Sequence, residues 1–361
     1  MPSAVGAGDK NIYTMKIALL TIHAADNYGA TLQAYATQRT LEELGHDVEI
    51  IDLHIDNPYS KAKGMLLYPK HLKFEKFRKK YYHHLTRKYA SLEDLQNNPP
   101  QADCYMVGSD QTWNPVIARG QAKAFFLDFG NEDVLKASYA ASFGMQKWED
   151  SEWIKSDDAS KLLKRITKLS VREKDGMDIL KRDLGIEHAV QVVDPVLLFD
   201  NYPELVGHVD ETNELILYKL SNSDAFYEKA KNIALDLSVT PRSIGSIRRI
   251  KGVKCGYPEG VEEWIRRIAG AKYVMTDSFH GMIFSILYQR QFILYARTPK
   301  LISRMVSILS LLGIQDRIVS GDASAEEIKQ KLVEPVDYQT VQKRLVELRS
   351  SSVEFLMNID K

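Results

Sequence analysis

The segment Thr276-Asp277-Ser278-Phe279-His280-Gly281 gathers a carboxylate, two hydroxyls and a histidine just ahead of an apolar helical run. Backbone amides of a turn that opens a helix point at an anion, and the helix dipole favours negative charge there. His280 is placed to donate a proton in such a turn. A lone histidine is more often a satisfied structural residue; the Ser/Asp/Gly-rich setting is what favours chemistry. Lys300 and Arg304, near the start of the next helix, are expected to add positive charge to the same pocket.

Four other loops carry functional groups. Gly108-Ser109-Asp110-Gln111-Thr112-Trp113-Asn114 combines an aromatic face with side chains that bond hydroxyls, a lining suited to a sugar. Its plainer alternative has Asp110 capping a turn and Trp113 in the core. Ser170-Val171-Arg172-Glu173 offers an arginine whose planar fork suits phosphate or carboxylate, unless a salt bridge to Glu173 or a neighbouring helix engages it. His23 to Gly29, with Asn27, Tyr28 and Gly29 leading into a helix, lacks GxGxxG and so disfavours a dinucleotide site; Asp26 or Asn27 would serve equally as a helix cap. Ser142-Phe143-Gly144 is a weak signal alone.

These loops follow short apolar runs. Lys16–Thr21, Asp47–Leu53, Cys104–Val107, Lys136–Ala141, Lys168–Val171 and Val190–Val193 read as strands. Their continuous rather than alternating hydrophobicity predicts a parallel sheet covered on both faces. A helix over 30–44 stopped by Gly45 makes the opening a βαβ unit. A second series begins near Glu214. It predicts helices over 223–237, 259–269, 281–289 and 300–312, and strands over 273–276 and 291–295. Ligands of such sheets collect at the carboxyl ends of the strands, where all five loops stand. Residues 1–14 receive no fold role and read as a leader or a disordered segment. The first lobe spans 15–205, with a basic helical insertion at 54–100, and the second spans 206–322. Residues 323–361 form two helices around Pro335, expected to pack back on the first lobe by analogy with other two-lobed proteins.

The 361 residues exceed one comfortable core, which supports two domains. With 48 basic and 48 acidic residues, no net field draws nucleic acid. No apolar stretch is long enough to span a bilayer. Cys104 and Cys255 stand far apart without CxxC spacing, which argues against a disulfide scaffold or zinc site and for a reducing, intracellular setting. Between Pro69 and Tyr89, eight Lys and Arg interleave with Phe74, Phe77, Tyr81 and Tyr82, and Glu75 is the only acid. Either the aromatic stripe packs on the sheet and the cations are solvated, or stretch 70–88 rests on anionic lipid headgroups.

In order along the chain, ADNYGATLQAYATQRTLEELGHDVEIID, DCYMVGSDQTWNP, ASYAASFG, SVREKDG, VVDPVLL and TDSFHGMIFSI resemble the polysaccharide pyruvyl transferase family over roughly residues 16–312. The pairing of GSDQ-x-WN with TDSFHG is specific. Thr112 departs from the family at a position where an aliphatic residue is common. The resemblance implies two Rossmann-like α/β lobes with parallel sheets, GT-B-like, with an active site in the inter-lobe cleft. It implies transfer of the pyruvyl unit of phosphoenolpyruvate onto two hydroxyls of a sugar, giving a cyclic ketal and phosphate, in capsule or exopolysaccharide biosynthesis. Its donor arginine falls on Arg172 and its catalytic histidine on His280, with Ser278 and Phe279 lining the donor site. Asn27, Tyr28, Gly29, Asp110 and Gln111 face the acceptor, to which the sugar-like lining adds Trp113 and Asn114, and the adjacent loop Ser142.

The chemistry needs a base for the hydroxyl, for which Asp110 is the candidate, and an acid for the departing phosphate, for which His280 is. Phosphoenolpyruvate is a co-substrate; no cofactor and no metal are expected, because HxH, DxD and His/Cys clusters are lacking. The expected partners are phosphoenolpyruvate and a lipid-linked saccharide. The expected location is the cytoplasm, at the inner face of the membrane. A GT-B glycosyltransferase using a nucleotide sugar is the main rival, and a non-catalytic binding module of a polymer-assembly system the second.

Overall fold

The computed structural model describes residues 14–55, 61–221, 223–296 and 302–360; Lys300 and nearly all of the expected leader lie outside them. The first series comprises β1 (Lys16–Leu20), α1 (Tyr28–Glu43), β2 (Asp47–Leu53), α2 (Lys61–Tyr81), β3 (Leu85–Tyr89), α3 (Leu92–Asn97) and β4 (Cys104–Val107). It continues with the one-turn helices α4 (Pro115–Ala118) and α5 (Ala122–Phe125), then β5 (Leu135–Ser138), α6 (Ser156–Leu163), β6 (Ser170–Val171), α7 (Lys174–Asp178) and β7 (Val190–Gln191). The sheet order β3-β2-β1-β4-β5 is parallel throughout, as continuous apolar strands demand. β6 and β7 pair with each other, and bridges from Ala137 to Lys168 and Ala141 to Val171 join them to the β5 side.

The second series comprises α8 (Pro203–Val206), β8 (Glu214–Tyr218), α9 (Asp224–Asp236), β9 (Thr240–Ser243), β10 (Lys254–Cys255), α10 (Val261–Ala269) and β11 (Tyr273–Thr276). Then come α11 (Phe279–Leu287), β12 (Gln291–Ala296), α12 (Ser303–Leu312), β13 (Ile318–Ser320), α13 (Ala325–Val333) and α14 (Tyr338–Met357). Its sheet, β10-β9-β8-β11-β12-β13, is also parallel. Both sheets therefore start at a central strand, run outward, and return to add strands on the other side, the doubly wound pattern.

The chain forms two compact units. One takes in the chain up to Gly64, Arg78–Phe199 and the chain from Val346; the other takes in Met65–Phe77 and Asp200–Leu345. The change of unit at Phe199 precedes the expected boundary at 205, and three further expectations need correction. The insertion 54–100 is not purely helical: β3 pairs in parallel with β2 and forms the sheet edge. Its aromatic side chains Phe74, Phe77 and Tyr82 are buried, so none of these three can lie in a lipid interface. Only part of the tail returns to the first unit. In α13, Ile328 and Leu332 join the core of the second, and Lys329 pairs with Asp236 of α9 at 2.9 Å. From Val346 onward the helix belongs to the first, where Ser352 Oγ accepts the Val193 amide at 3.1 Å.

Candidate functional site

In the first unit, parallel register brings three strand ends level: Leu20 beside Val107, and Val107 beside Ser138. The loops beyond them continue in register, with bridges from Asp110 to Ala141 and Ala141 to Val171. The loop after β4 thus lies against the loop after β5, which lies against Arg172. Asp110 adopts φ 78°, a left-handed conformation uncommon outside glycine, and its carbonyl accepts the amides of Thr112 (2.7 Å) and Ser142 (3.0 Å). Its carboxylate Oδ1 accepts the Gln111 amide at 2.8 Å and is only half-buried. Gly144, with φ 64°, lies directly under Gln111: a Cβ there would stand 2.1 Å from Oε1.

Beneath these loops sits a buried ionic cluster. Arg172 Nη1 donates to Asp194 at 2.6 Å and to Ser109 Oγ at 3.4 Å, and Nε lies 3.6 Å from Glu173. Ser142 Oγ donates to the other oxygen of Glu173 at 2.7 Å. The Arg172 side chain is 3% exposed and that of Asp194 0%. Burial opposes the charge on Arg172, but Asp194, Glu173 and Asp110 outweigh it and hold the guanidinium protonated above its ordinary range.

Several expected acceptor contacts are corrected by this packing. Trp113 is 0% exposed; its indole N–H donates to the Phe125 carbonyl at 2.8 Å and its ring packs on Phe126 and Phe143. It is a core residue, not a sugar platform. Asn114 Oδ1 accepts the Val116 amide (3.0 Å) and caps α4, while its amide nitrogen donates to Gln111. Asn27 is exposed, but its side-chain Oδ1 caps α1 by accepting the amides of Gly29 (2.9 Å) and Ala30 (3.2 Å). Tyr28 and Gly29 point inward, and the Ser142 hydroxyl is committed to Glu173. Arg172, expected to present its fork to an anion, is instead neutralised inside the unit.

In the second unit β8 and β11 end level, Tyr218 beside Thr276, while β12 pairs Leu294 with Thr276 and runs on to Ala296. Thr276 Oγ1 donates to the Tyr218 carbonyl at 2.7 Å and accepts the Ser278 amide at 3.0 Å. Ser278 caps α11, accepting the Gly281 amide at 3.3 Å. Gly281 is glycine because α11 presses on the strands: a Cβ would meet Thr276 Oγ1 at 2.5 Å and Tyr218 Cδ1 at 2.9 Å. That approach places His280 in the first turn of α11, 8% exposed, its ring 5.1 Å from and nearly perpendicular to Phe279. Arg304 stands over the other partner, its guanidinium carbon 6.0 Å from the Phe279 ring. The structure therefore brings Ser278, Phe279, His280 and Arg304 together.

Two groups escaped the reading of the sequence. Asp194 follows β7 in an Asp-Pro turn, and its place at a strand end was the available signal. Lys219, one residue past β8, has a fully buried side chain paired with Asp277. Among the described residues no three His, Cys, Asp or Glu side chains gather as metal ligands, and no helix is long and apolar enough to cross a membrane.

Solved structures of similar fold share little sequence. Arabidopsis thaliana UGT89C1 complexed with UDP-L-rhamnose superposes with a TM-score of 0.54 at 10% identity, over 96% of this chain and 99% of that one. The UDP-GlcNAc 2-epimerase of Neisseria meningitidis bound to UDP-GlcNAc gives 0.56 at 9%, over 95% and 100%. These likenesses show the expected fold, two α/β units with parallel sheets as in GT-B glycosyltransferases. No curated protein matches the chain in sequence. The polysaccharide pyruvyl transferase family model matches residues 27–299, from the cap of α1 through the TDSFHG turn and β12. By that match, the chain belongs to the polysaccharide pyruvyl transferase family.

Proposed function

We propose that the protein transfers the pyruvyl unit of phosphoenolpyruvate to two hydroxyls of one sugar, forming a cyclic ketal and releasing phosphate. The observation that carries this reading is the TDSFHG turn, where a helix N-terminus, His280 and the nearby Arg304 converge. Such a turn favours a dianionic phosphate through backbone amides and dipole. Protonation of the methylene carbon makes the adjacent carbon electrophilic, and the first hydroxyl adds there as Asp110 takes its proton. Phosphate then leaves with a proton from His280, and the second hydroxyl captures the oxocarbenium-like carbon. Of the two hydroxyl protons, one ends on the new methyl group and the other on phosphate.

The half-buried, strained Asp110 with Gln111 beside it offers the acceptor a carboxylate and an amide, while the anionic donor belongs to the second unit. The resemblance gives Arg172 the donor's phosphate; its burial among carboxylates supports instead a role in fixing the loops around Asp110. The enzyme is proposed to work without a resident metal, so chelation leaves the rate unchanged; loss restored by magnesium overturns this.

Incubating the protein with phosphoenolpyruvate and candidate saccharides, then following free phosphate and acceptor mass, tests the whole reading. A product heavier by pyruvate less one water supports it. Consumption of a nucleotide sugar, with phosphoenolpyruvate untouched, would establish the glycosyltransferase instead.

A cytoplasmic place beside lipid-linked saccharides is proposed from the exposed cations Lys73, Lys76, Lys79, Lys80, Arg87 and Lys88. With Phe74 and Phe77 inside, the reading rests mainly on attraction of these cations to anionic headgroups, at about 1 kcal/mol per residue, and Arg87, paired with Asp94, and Lys73, bonded to the Pro258 carbonyl, contribute less. The attraction is therefore screened by salt. Sedimentation with phosphatidylserine vesicles at low salt checks it: binding unchanged when Lys73, Lys76, Lys79 and Lys80 become Glu removes the proposal.

A further inference from the structure

We infer that Lys219 and Asp277 form a positioning pair that sets the His280 turn, an inference that rests on reading His280 as the acid. Asp277 is the residue before the Ser278 cap, yet its carboxylate points across to the neighbouring strand end. Oδ1 accepts the Leu220 amide at 2.7 Å, and Oδ2 accepts the Ser221 hydroxyl at 2.9 Å together with Lys219 Nζ. Lys219 also donates to Ser221 Oγ and lies 5.6 Å and 5.8 Å from the rings of Phe226 and Tyr295. Its side chain is 0% exposed and that of Asp277 14%. Among the described residues this buried ammonium, flanked by two aromatic rings, pairs with one carboxylate, which restricts the geometry of the pair.

That geometry bears on the turn from one side, while Thr276 Oγ1, bonded to the Tyr218 carbonyl and the Ser278 amide, holds it from the other. With these anchors on either side of the Ser278 cap, the direction in which α11 presents His280 follows from a charge pair that includes no residue of the helix. A sheet of this kind needs no lysine to join strands already paired residue by residue from Leu215 to Tyr218. The pair lies one residue beyond the ladder, where its effect falls on the loops.

The test compares Asp277→Asn, Lys219→Met and the conservative Lys219→Arg with the parent protein. The first readout needs no substrate: the rate at which diethyl pyrocarbonate modifies His280, followed by peptide mass spectrometry, with exposed His83 as internal reference. Asp277→Asn and Lys219→Met should change the His280 rate several-fold and leave His83 alone, and Lys219→Arg should restore it. The second readout is steady-state pyruvyl transfer, where kcat should fall at least tenfold with KM for phosphoenolpyruvate within about threefold. Asp277→Asn keeps an oxygen to accept the Leu220 amide, so it provides a folded variant even if Lys219→Met does not. An unchanged His280 modification rate in folded Asp277→Asn overturns the inference, whether or not the parent protein proves to be a pyruvyl transferase.

Discussion

The two units carry buried charge at the same edge of similar sheets, but in different proportions. In the first, one guanidinium answers three carboxylates: Asp194 and Glu173 in contact with it, and Asp110 close enough to hold its proton on. In the second, Lys219 and Asp277 match one to one, Asp277 just precedes the α11 terminus, and Arg304 stands over Phe279 in its first turn. A surplus of negative charge disfavours a phosphate-bearing carboxylate. A balanced pair under a helix N-terminus does the opposite. On the proposed reading, this contrast in charge would assign the polyol to the first unit and the anion to the second.

The largest expected effect separates chemistry from scaffolding. His280→Ala should lower kcat by about 10²–10⁴-fold, the usual cost of losing a proton-transfer group, and should leave the unfolding midpoint close to that of the parent. Near-parental turnover would remove His280 from the mechanism and with it the anion side of the comparison.

Arg172 is the sharper case, because its sequence context and its packing point to different roles. Arg172→Ala leaves Asp194 and Glu173 buried without their cation, and breaking such a pair costs about 3–5 kcal/mol. The outcome expected from the packing is a large drop in unfolding free energy measured by urea titration. Arg172→Lys retains charge and loses the fork. If it folds normally but raises KM for phosphoenolpyruvate alone, Arg172 is a donor ligand and the charge argument for the first unit fails.

Trp113 tests the same unit without charge. Truncating a buried aromatic side chain costs about 3–5 kcal/mol, so Trp113→Ala should destabilise on that scale. Trp113→Phe should lose less, mainly the bond to the Phe125 carbonyl, and leave the acceptor KM unchanged. A raised acceptor KM in a stable Trp113→Phe variant would return the indole to the sugar site.

The backbone architecture was largely legible because buried parallel strands announce themselves as apolar runs, as KIALL, CYMV and YVMT do. Less legible were β3 and β9: LTRKY and TPRS carry too little apolar surface to stand out, and only their position beside β2 and β8 makes them strands. At the site, TDSFHG was readable because turn chemistry is local, a cap, a glycine and a histidine within six residues. Ser142 was not, and Trp113 and Arg172 were legible only as pairs of alternatives, because residue type fixes what a side chain can do and packing fixes which way it faces. The partners that turned Arg172 inward are 1 and 22 positions away, and nothing in the sequence ranks Asp194 above the other carboxylates.

The smallest effect guards the first prediction against a false reading in acid. His46 lies in the first unit just before β2; its ring is buried, with Nδ1 placed to accept the Met15 amide at 3.4 Å. Burial, partly offset by Asp360, holds its pKa below the ordinary 6.5. Below that pH the unfolded chain takes up a proton that the folded chain resists, so the stabilisation from a neutral His46 is full above 6.5 and is lost as pH falls through the depressed value. Acid would then lower stability through a group that takes no part in turnover. His46→Gln removes the ionisation and retains an acceptor for the Met15 amide. Urea midpoints of this variant should fall less between pH 7.5 and 5.5 than those of the parent, while the acid limb of kcat in the fully folded range stays put. An equal fall in both proteins clears His46, and a displaced acid limb of kcat would mean that the proton governing turnover belongs to the first unit rather than to the His280 turn.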